Sequence, residues 1–254
     1  MLFADQQFST GNYDLAIKEL LRINYFCGQN NPDVQLKLAN SFYEKGDWKT
    51  ARLYYDQAYR LADSDSILIQ ARLRKISSLV LENNYKQALI DLYNIHDSVY
   101  AKHQIEIDLL YAICHFGLED FEKSEEYFKK MVGDDEVAKL RIDSVFNEKK
   151  LFNRPKPGLA YTMSMIIPGS GQIYSGDVGE GLNSFLLTEA FLVLGLVIMY
   201  NYSIIDAIVV VLPWYQRYFL GGLENTLEVA RKERQQNRSD AYNKILEIVK
   251  SSLP

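Results

Sequence analysis

The chain has 254 residues, 48% of them apolar, and its 28 Lys and Arg are outnumbered by 33 Asp and Glu for a formal net charge of −5. That length accommodates two hydrophobic units, and an acidic balance with no Lys/Arg stripe argues against a nucleic-acid partner held by phosphate contacts. The two cysteines, Cys27 and Cys114, stand in no CxxC or CxxxH context and read as buried packing residues rather than a disulfide pair or metal ligands.

From the N-terminus the chain repeats itself. Tyr13, Trp48, Tyr85 and Phe121 follow one another at intervals of 35, 37 and 36 residues. Each stands after a Gly or polar turn and three residues before a small residue. The four turns are Gly11-Asn12-Tyr13 with Ala16, Gly46-Asp47-Trp48 with Ala51, Asn83-Asn84-Tyr85 with Ala88, and Glu119-Asp120-Phe121 with Ser124. A fixed period in this range predicts stacked helix-turn-helix units. In the second copy Leu38, Ala39 and Phe42 share one helical face, and Ala51, Tyr55 and Ala58 share a face of the next helix. Gly46 is placed to end the first helix in the left-handed conformation, and Asp47 to accept from the free N–H groups of the second. The first copy offers Ala4, Leu20 and Ile23, the third Ile76, Leu79, Leu92 and Ile95, the fourth Tyr111, Ala112, Phe128 and Met131. The alternative is a non-repetitive helical bundle with these aromatics in its core. No stretch alternates with period two between turn signals, so the predicted fold is all-α either way.

The pattern over residues 1–133 resembles the tetratricopeptide repeat (TPR). That resemblance implies a solenoid of about four repeats that binds a protein or peptide rather than a small molecule. The partner would lie in the groove lined by the first helices, where Asn40, Tyr43, Lys75 and Ser78 are the candidate contacts.

Residues 134–153 read as a cap and linker. Asp134 to Phe152 predicts one charged amphipathic helix with Val137, Leu140, Ile142, Val145 and Phe146 apolar, after which Pro155 and Pro157 stiffen the chain. Composition then changes. From Pro157 to Gly176 twenty residues carry no charge, and Ala190 to Ile205 adds sixteen more. Leu182–Tyr200 and Ile204–Leu220 are predicted as two membrane-spanning helices turned at Asn201-Tyr202-Ser203, each near the lower limit of length. Tyr200, Tyr202, Trp214, Tyr215 and Tyr218 would sit at the interfaces. Residues 191–199 are apolar on every face, where a surface helix would show a polar stripe; core helices of a soluble bundle are the alternative. Glu189 and Asp206 fall inside these spans, and Pro213, Gln216 and Arg217 fall near the end of the second. Intramembrane charges of this kind usually face a partner or the interface. Residues 223–254 are expected to form polar amphipathic helices, including a short tail from Ile245 to Leu253.

Between linker and spans lies Pro168-Gly169-Ser170-Gly171-Gln172-Ile173-Tyr174-Ser175-Gly176, followed by Gly179-Glu180-Gly181. It resembles the Pro-Gly-x-Gly-Gln-x-Tyr-x-Gly signature of small bacterial membrane domains and is loosely similar to the two-transmembrane (TM-two) family. The resemblance covers about Pro157 to Leu220 within the domain 154–222, and implies a membrane domain with Asp206 at the acidic position. Pro168, Gly169 and Gly171 are predicted to break a hydrophobic helix. Leu159–Ile167 would then be half-buried or re-entrant, with Gln172 and Tyr174 satisfying freed backbone groups.

No catalytic constellation is found, and no cofactor or metal is expected. The glycine stretch lacks the Lys-Ser/Thr pair of a phosphate loop, and Ser170 has neither the strand nor the His of a nucleophile elbow. His96, His103 and His115 sit in the repeats outside any metal-ligand spacing and read as helix-surface or packing residues. Glu189 and Asp206 facing each other across the hairpin would make a small channel or transporter component, the rival reading. Arg231, Lys232 and Arg234 are candidates for lipid-headgroup contact. Basic residues flank the hydrophobic region but avoid its turn, which puts both ends of a two-span hairpin in the cytoplasm; a third span at 159–176 would separate them. The chain opens without a signal peptide, and if one has been trimmed the repeats are periplasmic. The expected protein is a non-enzymatic TPR scaffold, multi-pass in a bacterial inner membrane, holding a protein or peptide partner.

Overall fold

A computed structural model describes residues 1–26 and 30–252, and among these there are sixteen helices and no strand. The fold is all-α. Cys27 lies outside the described residues. The chain divides into two compact units, Met1–Lys139 and Leu140–Pro254.

Unit 1 contains four helix-turn-helix pairs. These are α1 (Leu2–Ser9) with α2 (Tyr13–Phe26), α3 (Pro32–Glu44) with α4 (Trp48–Leu61), α5 (Asp65–Leu81) with α6 (Tyr85–Tyr93), then after a short α7 (Asp97–Lys102), α8 (Gln104–Gly117) with α9 (Phe121–Met131). Successive pairs pack on one another through α2 on α3, α4 on α5 and α6 on α8, and the first helices α3, α5 and α8 touch in turn.

The turns give the period a physical cause. Each first helix is followed by a residue in the left-handed region: Gly11 at φ 78°, Gly46 at 87°, Asn83 at 57° and Glu119 at 65°. The next N–H then reaches back five residues: Asn12 to Gln7 O at 2.8 Å, Asp47 to Phe42 O at 2.9 Å, Asn84 to Leu79 O at 2.8 Å and Asp120 to His115 O at 2.9 Å. This bond and the left-handed residue together form a Schellman closure. The following aromatic opens the second helix, where Asp47 Oδ1 accepts from Thr50 N at 3.1 Å. Gly46 holds the left-handed conformation without steric cost, whereas Glu119 carries a Cβ into it. Glu119→Gly is therefore expected to stabilise unit 1 by about 1 kcal/mol, read as a higher urea midpoint. A lower midpoint would mean that contacts of the Glu119 side chain outweigh the backbone relief.

The cores straddle the copies. Ala4, Ile17 and Leu20 pack with Val34 and Leu38; Leu36, Ala39, Ala51, Tyr55 and Ala58 pack with Ala71; Leu73, Ile76, Leu79, Ala88 and Leu92 pack with Ile107, Leu110 and Tyr111. These shared cores make each copy depend on its neighbours. Small residues let paired helices approach, and at one of them Ser124 Oγ donates to Ala112 O at 2.9 Å. Cys114 is buried, and burial pushes its thiol up to about 12.

The helix predicted over 134–152 is two: α10 (Glu136–Asn147) and α11 (Lys149–Phe152), with Glu148 between them. Its apolar face is also different. Ala138, Ile142 and Phe146 are buried at i, i+4, i+8 spacing, while Val137 and Leu140 are 69% and 67% exposed. Counting only large apolar residues hides Ala138, and with it the true stripe.

Unit 2 continues with α12 (Pro157–Ile166), α13 (Ser170–Tyr174), α14 (Val178–Asn201), α15 (Ile204–Val210) and α16 (Leu212–Ser252). Pro157 opens α12, where its missing N–H costs nothing. α14 runs antiparallel to α15 and α16. Ser184 lies against Gly222, Phe191 stacks on Tyr218 at 5.1 Å, and Gly195 lies against Val211. The second predicted span is interrupted at Val211, where Pro213 cannot donate to the carbonyl four residues earlier. Among the described residues one helix, α14, is long and apolar enough to cross a membrane by length and composition. The composition change near 222 is not a helix end, because α16 runs unbroken for 41 residues. Trp214, Tyr215 and Tyr218, bracketed by the contacts at Val211 and Gly222, sit part-way along the hairpin rather than at its end. The expected tail is the last turns of α16, with Ile245, Ile248 and Val249 buried; Leu253 lies outside the described residues.

Candidate functional site

α3, α5 and α8 stand side by side and present one face of unit 1. On it Asn40 Oδ1 accepts from Tyr55 OH at 2.7 Å. Tyr43 meets Tyr55 edge-on with ring centroids 6.4 Å apart, and the Arg74 guanidinium lies 5.3 Å over the Tyr43 ring. Arg74 is exposed and was overlooked in the sequence. Between α5 and α8 the face deepens into an open depression of about 320 Å³ lined by Gln70, Leu73, Arg74, His103 and Glu106 among others.

Lys75 and Ser78 are corrected. The Lys75 ammonium pairs with Asp56 of α4 at 2.9 Å and Asp91 of α6 at 3.2 Å, bridging second helices. Burial disfavours its charge, but the hydrogen bond and charge of Asp56, with Asp91, hold its pKa above the ordinary lysine value. Ser78 is fully buried and donates to Arg74 O at 2.9 Å. One residue along a helix is a rotation of about 100°, so the exposed face carries Arg74 and not its neighbour Lys75.

At the far end of this unit His115 is buried, stacked on Tyr127 at 5.7 Å, with Nδ1 3.1 Å from Asp120 Oδ2. Burial depresses its pKa below 6.5 even though Asp120 pulls the other way. A group with a depressed folded pKa contributes stability above its unfolded value and loses it as pH falls through that window. Unit 1 is thus expected to soften as pH drops below about 6.5, and His115→Gln to flatten that limb of the melting-temperature profile. An unchanged limb would assign the pH response to other groups.

In unit 2 the glycine-rich motif is a junction of four helices, α12, α13, α14 and α16. Gly169 stands at φ 84° before α13, and a Cβ there would lie 1.9 Å from Gly181 O. Pro168 precedes it in the break between α12 and α13, and Gly176 at φ 96° follows α13. Gly171, expected to break the helix, is instead a point of close approach inside α13. A Cβ there would lie 2.0 Å from Ala160 O of α12 and 2.6 Å from Thr226 Cγ2 of α16. Gln172 is fully buried; its Oε1 accepts from Ser164 Oγ at 3.0 Å and its Nε2 donates to Gly222 O at 2.9 Å. Gly171 N donates to Ser164 Oγ at 2.9 Å. Thr226 Oγ1 lies 3.0 Å from Ser164 Oγ and 2.8 Å from Gly222 O, its one proton serving either acceptor. Tyr174 OH accepts from Lys156 N at 3.4 Å. Ser164 and Thr226 were missed, although a lone Ser in the apolar run 159–167 is a signal that something polar must meet it. α12 itself is a regular ten-residue helix with Met165 and Ile166 exposed. At about 15 Å it covers half a hydrocarbon core.

The expected Glu189–Asp206 pair is not formed. Gly195 meets Val211, so Asp206 lies toward the turn and Glu189 away from it, about 16 Å apart along the hairpin at 1.5 Å per residue. Among the described residues neither they nor Arg217 makes a hydrogen bond or ion pair. Of the basic residues on α16, Arg231 and Lys232 are exposed. Arg234 donates from Nε and Nη2 to Asn153 Oδ1 at 2.9 and 2.6 Å, and Asn237 Nδ2 donates to Arg154 O at 3.0 Å. The linker is therefore tied to the middle of α16, beside Arg231 and Lys232. No family model, curated protein or solved structure matches this chain.

Proposed function

We propose that the chain is a membrane-anchored adaptor, in which a TPR-like array holds a protein or peptide and a hairpin of α14 with α15 and α16 holds the bilayer. The observation that carries the reading is α14 itself. Leu187 and Leu194, Leu186 and Val193, and Leu192 and Met199 lie on three different sides of it, yet each remains more than a third exposed. Water would penalise that belt at about 25 cal/mol for each Å² of apolar surface, and lipid removes the penalty. Below the belt Arg154, Lys156, Arg231 and Lys232 gather at one end, which the positive-inside rule assigns to the cytoplasm. The array's first-helix face, with Tyr43 and Arg74 beside the depression at Gln70, is the docking surface in this reading.

The full chain is expected to stay with membranes through alkaline carbonate and to float with lipid vesicles; recovery in the carbonate supernatant would sink the anchor. A photo-crosslinker at Gln70 in native membranes should capture a protein, while one at Arg60 on the second-helix side should not. Equal capture at both positions would remove the groove from the account.

A further inference from the structure

Glu189 and Arg217 are the two charges within the apolar belt away from its ends, and the register of the hairpin puts them level. Ser184 lies against Gly222, and Glu189 and Arg217 are each five residues above that contact; Gly195 lies against Val211, and each is six residues below that one. Both therefore sit near the middle of the belt, about 13 Å from the Glu180–Asn225 hydrogen bond that marks its polar end. They do not meet within the chain. At roughly 100° per residue, Arg217 lies some 120–180° around α16 from Val211, Gly222 and Thr226, the residues turned inward. Glu189 likewise stands off the inward stripe of Ser184, Thr188, Phe191 and Gly195. Around Glu189 the exposed neighbours one turn away are Phe185, Leu186, Leu192 and Val193; around Arg217 they include Trp214 and Leu220.

We propose that this pair is an interface between copies of the chain, Glu189 of one membrane unit meeting Arg217 of the next. The inference rests on the membrane reading of unit 2. Opposite charges in hydrocarbon are tolerated when they pair. A rotation axis normal to the bilayer keeps every residue at its own depth, so only charges that are already level can pair between symmetry-related copies. Because the two charges face different sides of the hairpin, the contact is head-to-tail and closes as a ring rather than a two-fold dimer.

The test uses full-length chain, labelled in two colours and reconstituted in phosphatidylethanolamine–phosphatidylglycerol vesicles, with energy transfer as the readout. Wild type is expected to associate. E189Q and R217Q should weaken association about tenfold, and E189R or R217E should abolish it. The double swap E189R/R217E, which restores opposite charges, should recover it. Wild type that floats with vesicles but shows no transfer overturns the proposal, as does an E189R that associates normally or a double swap that stays dissociated. Capture of a different protein at these positions in native membranes, without self-association, also overturns it. If wild type does not float, the anchor has failed and this interface fails with it, so the two failures are read separately.

Discussion

Gly171→Ala is expected to pull α12 and α13 apart and to destabilise unit 2 by about 3–5 kcal/mol. The added Cβ would lie 2.0 Å from the Ala160 carbonyl oxygen and 2.7 Å from its carbon, both backbone atoms with no rotamer to change. Relief requires moving a helix, and that movement breaks what the motif holds together: Gly171 N to Ser164 Oγ, Ser164 Oγ to Gln172 Oε1, and Gln172 Nε2 to Gly222 O. Ordinary overpacking costs about 1–3 kcal/mol; buried hydrogen bonds left unmade add roughly 1–3 kcal/mol more. Gly158→Ala is the control, since nothing lies within 4 Å of a Cβ there. Thermal unfolding in detergent, with limited proteolysis around 166–170, reads the difference. A Gly171→Ala chain as resistant as Gly158→Ala would show that the two helices have slack.

The second large effect is expected in unit 1. Tyr55→Ala should cost about 3–5 kcal/mol, because it empties the largest fully buried side chain among the described residues. The ring packs with Leu36 and Ala39 of α3, Ala51 and Ala58 of its own helix, and Ala71 of the next pair, so the cavity opens between copies. Tyr55→Phe keeps the ring and loses only the hydroxyl donated to Asn40 Oδ1, for about 1 kcal/mol. Urea unfolding of the two variants separates packing from polarity. Equal losses would mean that the hydrogen bond, not the ring, carries the site.

What could be read in the sequence was local. The turn at Gly46-Asp47-Trp48 declares itself because cap, left-handed residue and aromatic are adjacent in the chain, and the same sentence with Asn83 or Glu119 in the glycine's place folds into the same closure. Leu38, Ala51, Tyr55 and Ala58 were legible as core for the same reason, their spacing being set within one helix. Residues whose role depends on a distant segment were not legible. Gly171 looked like a breaker because its real neighbours, Ala160 and Thr226, lie on two other helices. The Ser164–Thr226 contact joins positions 62 residues apart, and no spacing rule reaches that far. Lys75 and Ser78 failed by angle: the face of α5 that meets α4 and α6 is fixed by packing, so choosing contact residues by sequence position alone missed Arg74. The pairing of Glu189 with Asp206 failed by depth: Glu189 stands 12 residues before Asn201 and Asp206 only 3 after Ser203, and the contact of Gly195 with Val211 keeps that offset.

The unbroken course of α16 has a mechanical consequence. From Asn225, level with the end of the apolar belt, to Ser252 the helix extends 27 residues, or about 40 Å at 1.5 Å per residue. In the membrane-anchored reading proposed above, this helix, with no break along that length, is a lever whose short arm lies in the bilayer. A tilt of the embedded arm by about 10°, well within the range open to helices in bilayers, swings the far end by about 7 Å. Changes in bilayer thickness would therefore register well away from the lipid as a displacement larger than a helical turn.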